Sequence, residues 1–224
     1  MSNISIFDVM GPNMIGPSSS HTAGALRIAL LASNLAKGNV AHVTFILYGS
    51  FARTYHGHGT DRALVGGILG YTTDDERIRD SFEYAKKAGI TYEFVEDFTN
   101  KDVHPNTVDI ELTCKNGQVI TMRGVSIGGG NAVIQRLNGI EIDMNGASPT
   151  VIVKHWDRKG VLAYITKVIS DADLNIGALK LYREGKGKLA YAIVELDGKV
   201  PEDILQKLEE YPDNIATTYI PALL

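Results

Sequence analysis

A chain of 224 residues with 44% hydrophobic and 21% charged residues carries enough apolar material for a normal globular core, and its length suits one large domain or two small ones. A net charge of −4 leaves no basic stripe, which argues against nucleic acid or an anionic membrane as partner, and no apolar run reaches the length of a membrane span. The single cysteine, Cys114, excludes an intrachain disulfide framework and fits a reducing compartment; the opening residues lack a basic segment followed by an apolar run and do not read as a signal peptide, so a cytoplasmic protein is expected.

In chain order, the first strong signal is a helix over 21–36, nearly all small or apolar, with Ser20 as its N-cap and Lys37 and Gly38 as its stop. Residues 42–48 read as a strand, and Gly49 and Ser50 open a second helical stretch. A loop holding His56, Gly57, His58 and Gly59 leads to Thr60 and Asp61, which can cap and charge another helix start. A polar-faced helix is expected over 74–88, ending at Gly89. From 107 to 142 the pattern turns to strands: Val108, Ile110 and Leu112 alternate with polar residues, and Asn116 with Gly117 is a two-residue hairpin signal.

Turn formers cluster from Asn145 to Pro149, and a complete new pattern follows, so the expected domains are 1–146 and 147–224. In the second, 150–155 is a strand, and Val161, Leu162, Ile165, Val168 and Ile169 form a helical stripe. Strands over 176–182 and 189–196 are joined by a turn at Gly185, Lys186 and Gly187. Pro201 opens a helix with Ile204, Leu205 and Leu208 inward, and 214–220 is the last strand. The order βαββαβ predicts a ferredoxin-like unit and an α+β fold class overall. A module of that size is marginal alone, so it is expected to lean on a neighbour or pair with its own copy.

Four constellations stand out. Ser18, Ser19, Ser20, His21 and Thr22 occupy a helix start. One hydroxyl suffices for a cap, so the surplus suggests a small anion such as a carboxylate, although a generous cap remains the simpler reading. His56 and His58 lie among glycines. A zinc ion would need further ligands at spacings that are absent, which leaves either a solvated loop or a flexible one in which an imidazole moves a proton beside a ligand. Gly128, Gly129 and Gly130 match neither a phosphate-binding nor a dinucleotide-binding spacing, and mark a tight bend or a place where a ligand or another backbone comes close. In the second unit His155, Asp157 and Gly160 follow the first strand and Asn175 precedes the next; a helix start there can hold an amino acid's carboxylate while Asp157 pairs with its ammonium, unless these are routine loop polarity. Cys114 reads as an inert strand residue.

The segments 16–24 (Gly, Pro, Ser, Ser, Ser, His, Thr, Ala, Gly), 57–61 (Gly, His, Gly, Thr, Asp) and 126–130 (Ser, Ile, Gly, Gly, Gly), in this order and spacing, resemble the beta chain of bacterial iron–sulfur-dependent L-serine dehydratases. The second unit resembles an ACT domain through 157–162, where Lys159 departs from that family's usual proline. The resemblance implies an N-terminal domain similar to the allosteric substrate-binding domain of some phosphoglycerate dehydrogenases. It also implies the deamination of L-serine to pyruvate and ammonia at a 4Fe-4S cluster. One cysteine cannot ligate such a cluster, so it is expected in a separate alpha chain, with no metal ligands on this one. Ser18, Ser19, Ser20, His21, Thr22 and the glycines 128–130 are the implied serine-contacting positions. His58 is the implied proton-transfer histidine, with His21 beside it as catalytic, and His155, Asp157 and Asn175 are implied effector positions for an amino acid, with L-serine as candidate. A homodimer through one or both domains is also expected. The rival from another class is a non-catalytic amino-acid sensor, which needs no proton-transfer histidine at 58. A pyridoxal-phosphate enzyme is disfavoured, since no Schiff-base lysine with a phosphate loop is recognisable.

Overall fold

The computed structural model describes residues 12–223; the opening residues on which the signal-peptide reading falls lie outside that range. The fold is mixed, with helices and two separate sheets, and the chain divides into two compact units, Met1–Asn145 and Gly146–Leu224.

The first unit begins with a π-helical turn, Ser19–Gly24, that runs directly into α1, Ala25–Leu35. The expectation of a regular helix over 21–36 capped by Ser20 is corrected here. The cap is Ser18, whose hydroxyl accepts from His21 N at 3.2 Å, while Thr22 N donates to the Ser18 carbonyl at 2.8 Å. At the far end Lys37 and Gly38 take φ of 52° and 69°, and Gly38 N closes on Ser33 O at 2.9 Å, the left-handed exit that glycine permits. β1 (Val40–Tyr48) leads into the short helix α2 (Gly49–Thr54), and α3 (Thr60–Ile68) follows the histidine loop. The single helix expected over 74–88 is instead a 3₁₀ turn, Glu76–Asp80, and then α4, Ser81–Lys87. Asp75 caps the turn by accepting from Arg77 N at 2.9 Å, and the buried Ser81 donates to the carbonyl of Arg62, so the chain restarts at Ser81.

Strands β2 (Thr91–Asp97), β3 (Thr107–Cys114), β4 (Val119–Gly128), β5 (Asn131–Leu137) and β6 (Ile140–Met144) complete a six-stranded sheet of order β2-β1-β3-β4-β5-β6, in which only β1 and β2 are parallel. Period-2 alternation buries Val43, Phe45 and Leu47 of β1 and Val108, Ile110 and Leu112 of β3. Two glycines let α1 pack closely. A Cβ on Gly124 of β4 would lie 2.2 Å from Ile28, and one on Gly67 of α3 would lie 2.4 Å from the Leu26 carbonyl oxygen. On β1, Tyr48 donates to Asp109 at 2.9 Å, and Asp109 also receives two bonds of 2.6 Å from Arg123, which locks the end of β1 just before α2. Burial and the Asp109 carboxylate push the Tyr48 phenol up to about 12.

The second unit contains β7 (Thr150–Trp156), α5 (Val161–Asp171), β8 (Ile176–Arg183), β9 (Leu189–Leu196), α6 (Glu202–Glu209) and β10 (Asn214–Ile220), in the expected βαββαβ order. Its antiparallel sheet has the order β10-β7-β9-β8. Val151 and Val153 of β7 and Ala192 and Val194 of β9 form one core with Val161, Ile165 and Ile169 of α5 and Ile204 and Leu208 of α6.

Candidate active site

The serine-rich turn owes its shape to two local features. Gly16 takes φ +138°, and a Cβ there would lie 2.4 Å from Thr22, so the chain can fold tightly over that residue. Ser18 then supplies both a side-chain and a backbone acceptor to the turn, a cap of the kind that contributes about 1 kcal/mol. Thr22 is buried, and its hydroxyl donates to the His58 carbonyl at 3.1 Å, which fastens the turn to the loop 55–59. The hydroxyl of Ser19 has no hydrogen-bond partner among the described residues.

His21 is the hub. Its Nδ1 lies 3.1 Å from Ser20 Oγ and 3.5 Å from Ser18 Oγ, and its Nε2 lies 2.9 Å from Ser50 Oγ at the start of α2. Its ring meets Phe51 edge-on at 5.3 Å and His58 edge-on at 4.8 Å between centroids. Burial, and secondly the neighbouring His58, lower the His21 pKa below the ordinary imidazole value, so the ring is held neutral at a helix start, where a cation is disfavoured. Nδ1 of His58 is buried with no hydrogen-bond partner, a polar atom kept dry and unspent beside the serine turn.

The glycines 128–130 form the β4–β5 hairpin turn, with φ of 97°, 60° and 82°, all in the region open to glycine. This turn lies against the serine turn. A Cβ on Gly130 would come within 3.4 Å of the Ala23 methyl, and one on Gly24 would lie 2.1 Å from Ser126 Oγ and 3.5 Å from Asn131 O. Arg27, one helical turn on, donates from Nη1 to Gly130 O at 3.0 Å and to Asn131 Oδ1 at 3.3 Å. Segments 16–24 and 126–130, about a hundred residues apart, thus meet through both a tight bend and close backbone approach, and Thr22 ties 57–61 to the same turn. Ser50, Arg27 and Ser126 were not among the sequence candidates. In the sequence Ser50 marks only a helix start, Arg27 sits alone in an apolar run, and Ser126 is buried on β4 with an unpartnered hydroxyl, a signal that only the fold reveals.

His56 turns away from His58. Its Nδ1 donates to Asp61 at 2.9 Å, its side chain is 74% exposed, and its ring lies on Tyr55 at 3.9 Å. No group of three or more His, Cys, Asp or Glu side chains suited to a metal ion occurs among the described residues. Cys114 is buried on β3 and burial pushes its thiol pKa up, the opposite of what a thiolate ligand needs. The donor set of this chain does not fit an iron–sulfur cluster.

In the second unit His155 is buried, and its Nδ1 donates to the Trp156 carbonyl at 2.8 Å while Nε2 is unpartnered. Asp157 accepts from Gly187 N at 3.0 Å and from Arg183 at 3.2 Å. The Gly187 amide first, and Arg183 after it, hold its carboxyl below the usual range. Asn175 donates to Asp197 at 2.6 Å. The register separates these residues: Trp156 pairs with Leu189 at one end of β9, whereas Ile176 pairs with Leu196 at the other. The eight residues of β9 span about 24 Å, so a single copy does not bring Asp157 and Asn175 to one small ligand.

A model of the family described as serine dehydratase beta chain matches residues 5–136. The chain is 43% identical over 204 residues to "L-serine dehydratase, beta chain" of Peptoniphilus asaccharolyticus, across 91% of this chain and 92% of that one. It is 42% identical over 217 residues to "Probable L-serine dehydratase, beta chain" of Bacillus subtilis (strain 168), across 96% and 97%. It is 30% identical over 204 residues to "L-serine dehydratase" of Streptomyces coelicolor, across 81% of this chain but 44% of that protein.

Proposed function

The chain belongs to the serine dehydratase beta chain family, and on that premise we propose that it is the beta subunit of an L-serine ammonia-lyase that deaminates L-serine to pyruvate and ammonia. The observation that carries the reading is the pair of edge-on imidazoles, His21 and His58, set 4.8 Å apart where the serine turn, the histidine loop and the glycine hairpin meet. In this reading the hydroxyls of Ser18, Ser19 and Ser20 and the free amides of the turn hold the substrate carboxylate. The glycine hairpin lets the substrate backbone come close. His58, with its buried, unspent Nδ1, takes the Cα proton as general base, while His21, less basic and with a serine hydroxyl at each ring nitrogen, competes weakly for it.

The 4Fe-4S cluster belongs to a separate alpha chain. Two observations support this division: the unsuitability of Cys114, and the Streptomyces protein named without a chain, more than half of which has no counterpart here. A sensor that only bound an amino acid would have no use for two adjacent imidazoles beside the serine turn. The second unit serves as an ACT regulatory module over 147–224, consistent with its βαββαβ order. Because β9 separates Asp157 from Asn175, a shared effector site that includes His155 takes the Asp157 end from one copy and Asn175 from another, which makes the holoenzyme at least dimeric in this chain. Anaerobic co-expression with an alpha chain of the family tests the function. Co-purification of a cysteine-rich chain, with pyruvate formed from serine, is expected; a chain that purifies alone and binds serine without turnover in any mixture points to the sensor.

A further inference from the structure

The Ser50 hydroxyl has a single hydrogen-bond partner among the described residues, Nε2 of His21 at 2.9 Å. It is rigidly presented. The end of β1 is tied by Tyr48 to Asp109, Gly49 takes φ +52° against Pro105, and the amides of Ser50 and Phe51 both donate to the Pro105 carbonyl at 2.7 and 3.2 Å. The Ser50 hydroxyl is half-buried, and within the protein the one place for its proton is that ring nitrogen. Nε2 is then the acceptor nitrogen of a neutral imidazole, and Nδ1 carries the proton. The Nδ1 proton goes to Ser20 Oγ at 3.1 Å, and Ser20 can donate onward to Ser18 Oγ at 3.4 Å, which already accepts from His21 N. Ser18 is thereby an acceptor twice over within the turn, and its own O–H has no acceptor left there.

We infer that Ser50 is a positioning residue that sets the direction of a four-member hydrogen-bond chain, Ser50 to His21 to Ser20 to Ser18, so that the Ser18 hydroxyl proton is presented to the carboxylate of the bound amino acid. This rests on the reading of the site proposed above. The groups facing the His21 ring are Ser18 and Ser20 of its own turn, Ser50 and Phe51 of α2, and His58 of the loop. α1, α3, β4 and β5 also pack on the turn and carry Arg27, Asp61, Arg62, Arg123 and Arg136, none of which is among the groups that shift the ring. A donor aimed at Nε2 favours the neutral ring, so removing it raises the His21 pKa.

The tautomer is read without turnover. In the full chain with ¹⁵N-labelled histidine, His21 is expected to be protonated at Nδ1, and Ser50→Ala to relax that preference; a wild-type ring protonated at Nε2 overturns the inference whatever the enzyme does. In the assembled two-chain enzyme, Ser50→Ala should raise KM for serine about two- to tenfold, the effect of one neutral hydrogen bond, and move the acid limb of the kcat/KM profile to higher pH, while Ser50→Thr restores both. An unchanged acid limb in Ser50→Ala, or Thr no better than Ala, would mean the residue only fills space. A wild-type enzyme that does not turn over serine defeats the proposed function but leaves the tautomer measurement to decide the chain.

Discussion

Gly24→Ala is the sharpest test of how the serine turn is seated on the sheet. The backbone at Gly24 is ordinary (φ −64°, ψ −43°), so alanine brings no dihedral strain and, in a helical setting, a gain of up to about 1 kcal/mol over glycine. Against this, the new methyl would lie 2.1 Å from Ser126 Oγ and 2.8 Å from Ser126 Cβ, well inside contact distance, and Ser126 is fully buried on β4. Relief requires the turn and the strand to move apart. Overpacking of this kind costs about 1–3 kcal/mol, so with the full helical gain set against it a net loss of up to about 2 kcal/mol is expected. The double variant Gly24→Ala/Ser126→Gly removes both offending atoms and should recover most of it. The single tryptophan, Trp156, lies in the second unit, so the suitable readout is amide exchange across Ala25–Leu35 together with the urea midpoint by circular dichroism. Gly24→Ala as protected as wild type, or a loss that Ser126→Gly does not repair, would refute the seating of the turn against β4.

Further outcomes follow from the same geometry. The lowered pKa of His21 means that between its folded value and the ordinary value near 6.5 the unfolded chain binds more protons. Stability therefore falls as pH drops through that window, and His21→Gln should flatten the urea midpoint between pH 7 and 5; an unchanged pH slope contradicts the burial of the ring. Cys114, buried with its thiol pKa raised, should react with a chromogenic disulfide far more slowly in the native chain than in urea, and rapid labelling of the native chain counts against its placement on β3. Gly67→Ala should destabilise by about 1–3 kcal/mol, because the methyl meets the Leu26 carbonyl and the Ala29 methyl across the α1–α3 contact; a variant at least as stable as wild type shows that the helices do not touch there. Calorimetry of the full chain with L-serine should show, besides any heat from the serine turn, a second binding step that is lost in both Asp157→Ala and Asn175→Ala if an effector is shared between copies, and that step retained in either variant removes that residue from the site.

Strand positions in the second unit are legible because unbroken apolar runs at 151–153 and 189–194, buried on both faces, stand between clusters of turn residues. β2 was not assigned from sequence: Glu93, Glu96 and Asp97 dilute its pattern, and only Tyr92 and Phe94 face inward beside β1. The break at Ser81 was hidden because it depends on a hydrogen bond to Arg62, nineteen residues back in the chain. At the site, the surplus of hydroxyls over a cap's needs at 18–22 was readable, but the identity of the cap was not, since a π turn shifts it from Ser20 to Ser18. Ser50 carries no motif of its own, and Ser126 opens the 126–130 motif without any local sign of what its side chain meets. Their roles come from contacts with residues 29 and 102 positions away, with His21 in one case and Gly24 in the other, distances that local pattern cannot span.

The central claim is that His58 moves the substrate's Cα proton in the assembled enzyme. The most direct measurement is kcat for pyruvate formation by His58→Asn co-expressed anaerobically with the iron–sulfur chain, with the cluster's absorbance recorded on the same sample. A fall of about 100-fold or more with an undiminished cluster spectrum is the predicted result; near-wild-type turnover with the cluster intact would contradict it.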